Sequence, residues 1–310
     1  MELPQGYNDK QSVAVWAKGG KYRLEPDHYM DIQEAFQPDV YQALSDGDVG
    51  KTTTRKRLQK SIHRTLSFLD ECLERHQNSE VLKNAAIFGA IEGGYQIEER
   101  LKSAKETSSR PVQGFSIEGF QNFGPKTEDF EFDEIKDILQ KTVSALSADR
   151  PRLMQGGWRP DHVLSAVSCG VDILDSSYPY IVTERGEAQV FDFKFSSSKS
   201  CHGISGEITE ETKEKTYTGA SFTIDLKDKR YREDSRPVLP SCQCYCCQTF
   251  ARSYIHHLLN TSELLASVLL MIHNFHHYFE FFHTIRQAID EDKFDDLVHL
   301  IKKQSPQAER

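Results

Sequence analysis

Apolar positions along the first 190 residues alternate between the helical period and short unbroken runs. Met30, Ile32 and Ala35, flanked by Asp27 and Glu34, predict a helix over 26–36, and 40–44 reads as a short strand. Leu58, Ile62, Leu66 and Leu69 fall on one stripe of a long amphipathic helix predicted over 52–75. The run 85–91 predicts a buried strand ending in Glu92-Gly93-Gly94, where glycine lets the backbone turn tightly or approach a ligand. A strand over 112–117, a helix over 130–146 and a strand over 152–155 follow, the last ending in Gly156-Gly157. Pro160 and Asp161 open a helix to Ser168, Gly170 closes it, and 171–174 is the next strand.

Strands alternating with helices imply an α/β fold with a parallel sheet and right-handed crossovers. Glycine-rich strand ends gathered on one face suggest a barrel rather than an open sheet. Only five or six core strands can be counted, whereas such a barrel closes with about eight. Either some strands escape the pattern or an N-terminal portion is missing.

The character changes after residue 190. The stretches 196–200 and 207–215 are polar and charge-rich, as a solvated loop is, and 221–226 alternates as a strand before Arg236-Pro237. Three segments are therefore expected: a partial barrel over 1–190, a charged insertion and hairpin over 191–235, and a helical subdomain over 236–310. The last is read as helical to residue 303, with Leu264, Leu265, Val268, Leu269 and Ile272 on its inner side and Tyr278, Phe279, Phe281 and Phe282 beyond. One helix cannot bury all those rings, so some are expected to pack against a second chain.

A length of 310 residues, 38% hydrophobic and 27% charged, describes an ordinary globular protein. The start has no signal-peptide pattern, and the longest apolar run, 264–272, is too short to span a bilayer. A soluble intracellular protein is expected, its seven cysteines reduced or metal-bound. The net charge of -9 argues against nucleic-acid binding over the whole surface. One local candidate exists over 51–69, with Lys51, Arg55, Lys56, Arg57, Lys60 and Arg64 and no acidic residue. The same pattern also fits the solvated face of a helix.

Between Cys242 and Cys247 four cysteines fall within six positions, and histidines follow on an apolar helical pattern. Sulfur and imidazole are the ligands that tetrahedral zinc prefers. Three thiolates and one imidazole leave no open position for water, so one structural Zn2+ per chain is expected. Disulfides explain the cluster less well, because neighbours such as Cys246 and Cys247 do not bridge within normal geometry. Chemistry alone leaves Cys246 competing with Cys247, and His256, His257, His276 and His277 competing with His273.

The order Cys242-x-Cys244-x-x-Cys247, then Arg252-x-Tyr254-Ile255-His256-His257-Leu258, then His273, resembles the zinc signature of the tRNA-guanine transglycosylases. The resemblance runs from about residue 13 to about residue 296, apart from the charged insertion. It implies a TIM-like (β/α) barrel with a C-terminal zinc-binding helical subdomain, and Cys242, Cys244, Cys247 and His273 as the ligands. The match starts partway into the family's barrel, which implies an N-terminally incomplete one; the absent portion would carry a Ser-Gly-Gly-rich segment and a catalytic aspartate.

Gly170-Val171-Asp172-Ile173-Leu174-Asp175-Ser176-Ser177-Tyr178-Pro179 resembles the family's nucleophile segment, with Asp175 on the nucleophile. Such a carboxylate forms a covalent glycosyl intermediate with a nucleotide turned out of its stack. The neighbouring positions depart from the family. Tyr180-Ile181 replaces Thr-Arg, Ser45 stands where an aspartate reads the incoming base, and Glu92 replaces a base-binding glutamine. Ionised, Glu92 would only accept hydrogen bonds. Gly119-Phe120-Gln121 replaces a slimmer Gly-Leu-Ala.

These departures beside an intact zinc signature resemble a non-catalytic accessory member of the family, with Asp175 idle. The resemblance implies a heterodimer with a catalytic queuine tRNA-ribosyltransferase subunit, helping to hold tRNA for exchange of guanine by queuine at the wobble position of GUN anticodons. It further implies a cytoplasmic location, with the mitochondrial outer membrane as a second, peripheral one. An active transglycosylase using Asp175 and a zinc-stabilised scaffold without an RNA role are the competing readings.

Overall fold

A computed structural model describes residues 8–120, 128, 130–194 and 221–305. The first residues, Gln121 and the polar stretches 196–200 and 207–215 lie outside them. The chain forms two compact units, one of Met1–Gly156 with Ser165–Asp175, the other of Gly157–Leu164 with Ser176–Arg310.

The first unit begins with an antiparallel hairpin, β1 (Val13–Ala17) and β2 (Gly20–Leu24), and helix α1 (Pro26–Phe36), whose first position is the proline that the helix start favours. Strands β3 (Val40–Gln42), β4 (Ala86–Ile91), β5 (Gly114–Ile117), β6 (Arg152–Met154) and β7 (Ile173–Leu174) then pair in parallel and in chain order. Each step crosses over through one helix: α2 (Arg55–Asn78), α3 (Ile97–Ser108), α4 (Asp133–Ser144) and α5 (Pro160–Ser168). The result is a curled parallel half-barrel. Its core joins Met30 of α1, Phe68 and Leu69 of α2, Ile87 and Ile91 of β4 and Phe115 of β5.

Parallel order brings all the strand ends to one rim, where the segments after each strand can meet a ligand. The Glu92-Gly93-Gly94 turn is built for close approach. Gly93 has φ +122°, and a Cβ on it would lie 2.6 Å from the backbone nitrogen of Arg100 in α3.

The basic stripe of α2 is mostly consumed inside the unit, which favours the solvated-face reading over an RNA surface. Arg57 and Arg64 both donate to Asp46, at 2.7 and 3.0 Å, Arg55 pairs with Glu98 and Glu99, and Lys51 pairs with Glu134. Among the described residues, Lys56 and Lys60 are the exposed cations of the stripe without an acidic partner.

Asp46 is fully buried, and the Asn8 amide, the Thr65 hydroxyl and the Ser61 hydroxyl complete its side-chain and backbone bonds. Burial alone would raise its pKa; the hydrogen bonds from Arg57 and Asn8 and the Arg57 charge outweigh that and hold it below the ordinary carboxylate range.

The second unit is organised on one long helix. Helix α6 (Ser177–Glu184) and the antiparallel pair β8 (Glu187–Gln189) and β9 (Thr223–Asp225) precede α7 (Tyr245–Thr249), α8 (Arg252–Asn260), α9 (Leu264–Asp290) and α10 (Phe294–Lys302). The stretch expected to stay helical to residue 303 is helical in two pieces, α9 and α10, parted at Asp292, which takes a left-handed turn at φ +56°.

One face of α9 reads the backbone of its neighbours. The Asn274 amide accepts from Gln189 N and donates to Glu187 O, and the Tyr278 hydroxyl donates to Trp158 O at 3.0 Å. The expected sides of this helix are corrected. Tyr278 and Phe281 are buried within the unit, Phe281 edge-on to Phe191, because they share the Asn274 face. Leu264, Leu265, Val268, Ile272 and Phe279 form an exposed ridge, although Leu269 does point inward.

Replacing Asp46 by Asn leaves two largely buried arginines without their counter-charge and should cost about 3 kcal/mol of stability at neutral pH. Urea denaturation measures this. The group's pKa is lowered on folding, so its contribution is present above the ordinary carboxylate range. The gap between wild type and variant should therefore shrink as pH falls through that range.

Candidate metal centre and candidate active-site rim

Cys244 is the N-cap of α7, and its sulfur accepts the backbone N–H of Cys247 at 3.4 Å. This tight turn points the sulfurs of Cys242, Cys244 and Cys247 to one side. From α9, His273 brings Nδ1 to 3.7, 3.6 and 3.3 Å from them. All four ligand atoms lie within 4.8 Å of one another, and all four residues are buried. A tetrahedral ion with arms of about 2.3 Å to sulfur and about 2.0–2.1 Å to nitrogen would hold S and N roughly 3.6 Å apart. The group therefore fits such an ion, and it could hold a metal.

The outer support is also present. His273 Nε2 donates to Gln189 O at 2.8 Å, which orients the ring and leaves Nδ1 to the sulfurs. Burial opposes a charge on His273, but bonding to the thiols of Cys242 and Cys244 outweighs it and pushes the ring up to about 9. A metal would displace those shared protons.

The competitors identified in the sequence are elsewhere. Cys246 is buried away from the group, its thiol pushed up to about 12 by burial. His277, one turn beyond His273, bonds Phe191 O at 3.0 Å, and burial pushes it down to about 3. His256 bonds Leu226 O at 2.9 Å, His257 is exposed and His276 is half-buried.

In the first unit, Ser45 follows β3, Glu92 follows β4, Gly119-Phe120 follows β5 and Asp175 follows β7, so the sheet brings them to one rim. Asp175 is half-buried and accepts the Gly156 N–H at 3.1 Å. The Ser45 hydroxyl accepts the Gln42 amide at 3.3 Å. Tyr180, on α6 of the other unit, is exposed and Ile181 is half-buried.

The rim between β4 and β5 is filled by the chain itself. Arg100 is fully buried and donates to Gly94 O at 2.8 Å, Glu118 O at 2.7 Å and Ile91 O at 3.4 Å. The Phe120 ring covers its guanidinium at 3.7 Å, and Tyr95 meets Phe120 edge to face.

Glu92 is fully buried, and neither carboxyl oxygen has a hydrogen-bond partner among the described residues. Burial first, and the Glu118 charge second, push its pKa well above the ordinary range. A raised pKa favours the neutral acid, which can donate as well as accept, over the acceptor-only ion. An unpaired neutral carboxyl costs about 1–3 kcal/mol, far less than an unpaired buried ion. Sequence reasoning missed Glu118, Arg100 and Asp46. A carboxylate directly after the strand 114–117 was a usable signal for Glu118; nothing local marks Arg100.

A family model described as queuine tRNA-ribosyltransferase matches residues 3–307. The chain is 45% identical over 316 residues to the queuine tRNA-ribosyltransferase accessory subunit 2 of Pongo abelii, covering 97% of this chain and 75% of that protein. Identity to the Homo sapiens protein of the same name is also 45%, with the same coverage. The Gallus gallus protein of that name is 43% identical over 319 residues, 98% of this chain and 74% of the relative. The chain belongs to the queuine tRNA-ribosyltransferase family.

Purified Cys246→Ala protein should retain one metal ion per chain by elemental analysis, whereas Cys244→Ala should lose it. Structural metal contributes roughly 10–16 kcal/mol in small modules, so the Cys244→Ala chain should also lose the α7–α9 fold by circular dichroism. Metal loss from Cys246→Ala would show that the ligand set is different.

Proposed function

We propose that this member of the queuine tRNA-ribosyltransferase family is a non-catalytic accessory subunit. It pairs with a catalytic homologue and supports exchange of guanine for queuine at the wobble position of tRNA. The observation that carries the reading is the filled rim. Ser45 offers a hydroxyl in place of a base-reading carboxylate, Glu92 is sealed without a donor among the described residues, and Phe120 with Arg100 takes up the space between β4 and β5. The names of the relatives, each an accessory subunit 2, point the same way.

The ion at Cys242, Cys244, Cys247 and His273 is proposed to be Zn2+, one per chain. Bound there it supplies no reactive position, because four protein ligands complete a tetrahedron. Its role is to tie α7 to α9. The half-barrel is read as the arc of a TIM-like barrel within 1–190, followed by an insertion over 191–235 and the zinc-binding subdomain over 236–310.

The exposed ridge of α9 is the proposed seat of the partner, in place of the buried rings first expected there. Leu264, Val268, Ile272 and Phe279 lie on one helical face, and apolar ridges of this kind usually bury against another surface. RNA contact through α2 would fall to Lys56 and Lys60. A cytoplasmic location, with peripheral attachment at the mitochondrial outer membrane, accompanies this reading. Among the described residues no helix is long and apolar enough to cross a membrane.

A second reading, an active transglycosylase, rests on Asp175, which keeps its place at the rim with a backbone donor. Labelled guanine exchange into tRNA separates the two. The chain alone should be inactive, the mixture with the catalytic homologue active, and Asp175→Ala should change the mixture's rate by less than about twofold. Exchange by the chain alone, or a collapse in the Asp175→Ala mixture with assembly intact, would favour the second reading. No effect of the chain on its homologue's exchange or on tRNA binding would favour a scaffold.

A charge at the ridge should weaken pairing without unfolding the subunit. Val268→Glu and Ile272→Glu are each expected to lower affinity for the catalytic homologue by about 2 kcal/mol, roughly 30-fold, in a pull-down titration. Full affinity in both folded variants would move the interface elsewhere.

A further inference from the structure

Glu92 and Glu118 leave neighbouring parallel strands at the same level, since Ile91 pairs with Ile117 in the β4–β5 register. Both side chains are buried. Glu118 Oε1 accepts the Ser116 hydroxyl at 2.9 Å, while neither oxygen of Glu92 receives a donor among the described residues.

Among the described residues, charged groups on several elements act on Glu92. Glu118, from the end of β5, and Asp46, from the segment after β3, favour a proton on it; Arg100 of α3 and Arg57 of α2 oppose one. Neither arginine bonds to it. Arg100 is turned to the carbonyls of Gly94, Ile91 and Glu118, and Arg57 is committed to Asp46.

The segment 45–50 lies over this acid. A Cβ on Gly47, which is exposed, would stand 3.5 Å from Glu92 Oε1, and Val49 reaches within 3.3 Å of where a Cβ on Gly119 would be. Glycines at positions 47 and 50 give the segment backbone freedom.

We propose that Glu92 carries a proton, with the charge of the pair left on Glu118, and that this neutrality is the latch that lets the stretch 47–50, beyond the Asp46 anchor, lie closed over the rim of the sheet. When the proton leaves, a second buried carboxylate stands beside Glu118 with no donor to meet it. Exposed Gly47 lies beside Glu92 Oε1, so the stretch after Asp46 lifts there, with the Asp46 ion pairs as its hinge, and Glu92 is hydrated. The sign follows from the raised pKa of an acid: the latch is closed while Glu92 is protonated and opens as pH rises above the ordinary carboxylate range through its raised value. The Asp46 ion pairs respond oppositely and fail only in acid. One rim thus holds a closure that alkali releases and an anchor that acid releases.

Two measurements on the full chain test the latch. Infrared spectroscopy at neutral pH should show a protonated-carboxyl carbonyl band that disappears in Glu92→Gln. Hydrogen exchange at amides 47–51, corrected for the intrinsic rate, should lose at least about tenfold of its protection as pH is raised well above the ordinary carboxylate range in wild type. Protection should stay flat in Glu92→Gln, whose amide does not ionise. The proposal is overturned if the band survives in the variant, or if the variant shows the same loss. If the variant does not fold, the wild-type exchange profile decides alone: flat protection sinks the latch.

Discussion

The second unit depends on one imidazole that uses both of its nitrogens. His273 turns Nδ1 to three sulfurs and Nε2 to the Gln189 carbonyl, joining α9, the cysteine turn and β8. Asn274, next along the helix, bonds the same strand from both of its ends. Because the β8 backbone is read by side chains rather than by another strand on that side, α9 cannot slide without breaking several buried polar bonds together. Such bonds contribute modestly when made but are expensive to leave unmade. This keeps a 27-residue helix in one register.

The first unit is governed by how its sheet rim treats carboxyl groups. Asp46, Glu92 and Asp175 all follow strands of one parallel sheet, yet they meet three environments. Asp46 is buried and ionised because two arginines and an amide surround it. Glu92 is buried with no donor to it among the described residues, and its pKa is raised. Asp175 stays half-buried against a backbone N–H. A site that exchanges bases has to leave room for a planar ring and groups to read its edges. Here an Arg100–Phe120 stack occupies that room, and the acid beside it is sealed.

Some of this was legible before folding and some was not. The helix over 26–36 and the alternation of strand and helix through 174 follow from local periodicity, which depends on residues a few positions apart. The cysteine turn is local too, since Cys242, Cys244 and Cys247 lie within one turn of chain. Helix α9 marks the limit. Its apolar residues cover nearly the whole circumference, so periodicity could not tell the inner face from the outer, and the exposed ridge was placed inside. Likewise the basic stripe of α2 looked available until Asp46, Glu98, Glu99 and Glu134 were found opposite it.

The sequence by itself determined the β/α alternation, the glycine-ended strands, the sulfur-rich turn and the family to which the chain belongs, because each is written in short-range spacing. Only the tertiary structure decided that the His273 ring, already singled out by the family resemblance, is held from behind by the Gln189 carbonyl, that Glu92 is buried without a donor among the described residues, and which side of α9 is bare. Those outcomes depend on groups brought together from distant parts of the chain. His273 and Gln189 are 84 positions apart, and Glu92 and Glu118 are neighbours only because β4 and β5 pair in parallel. Protonation and exposure are set by such neighbours, whose distance along the chain carries no signal until it folds.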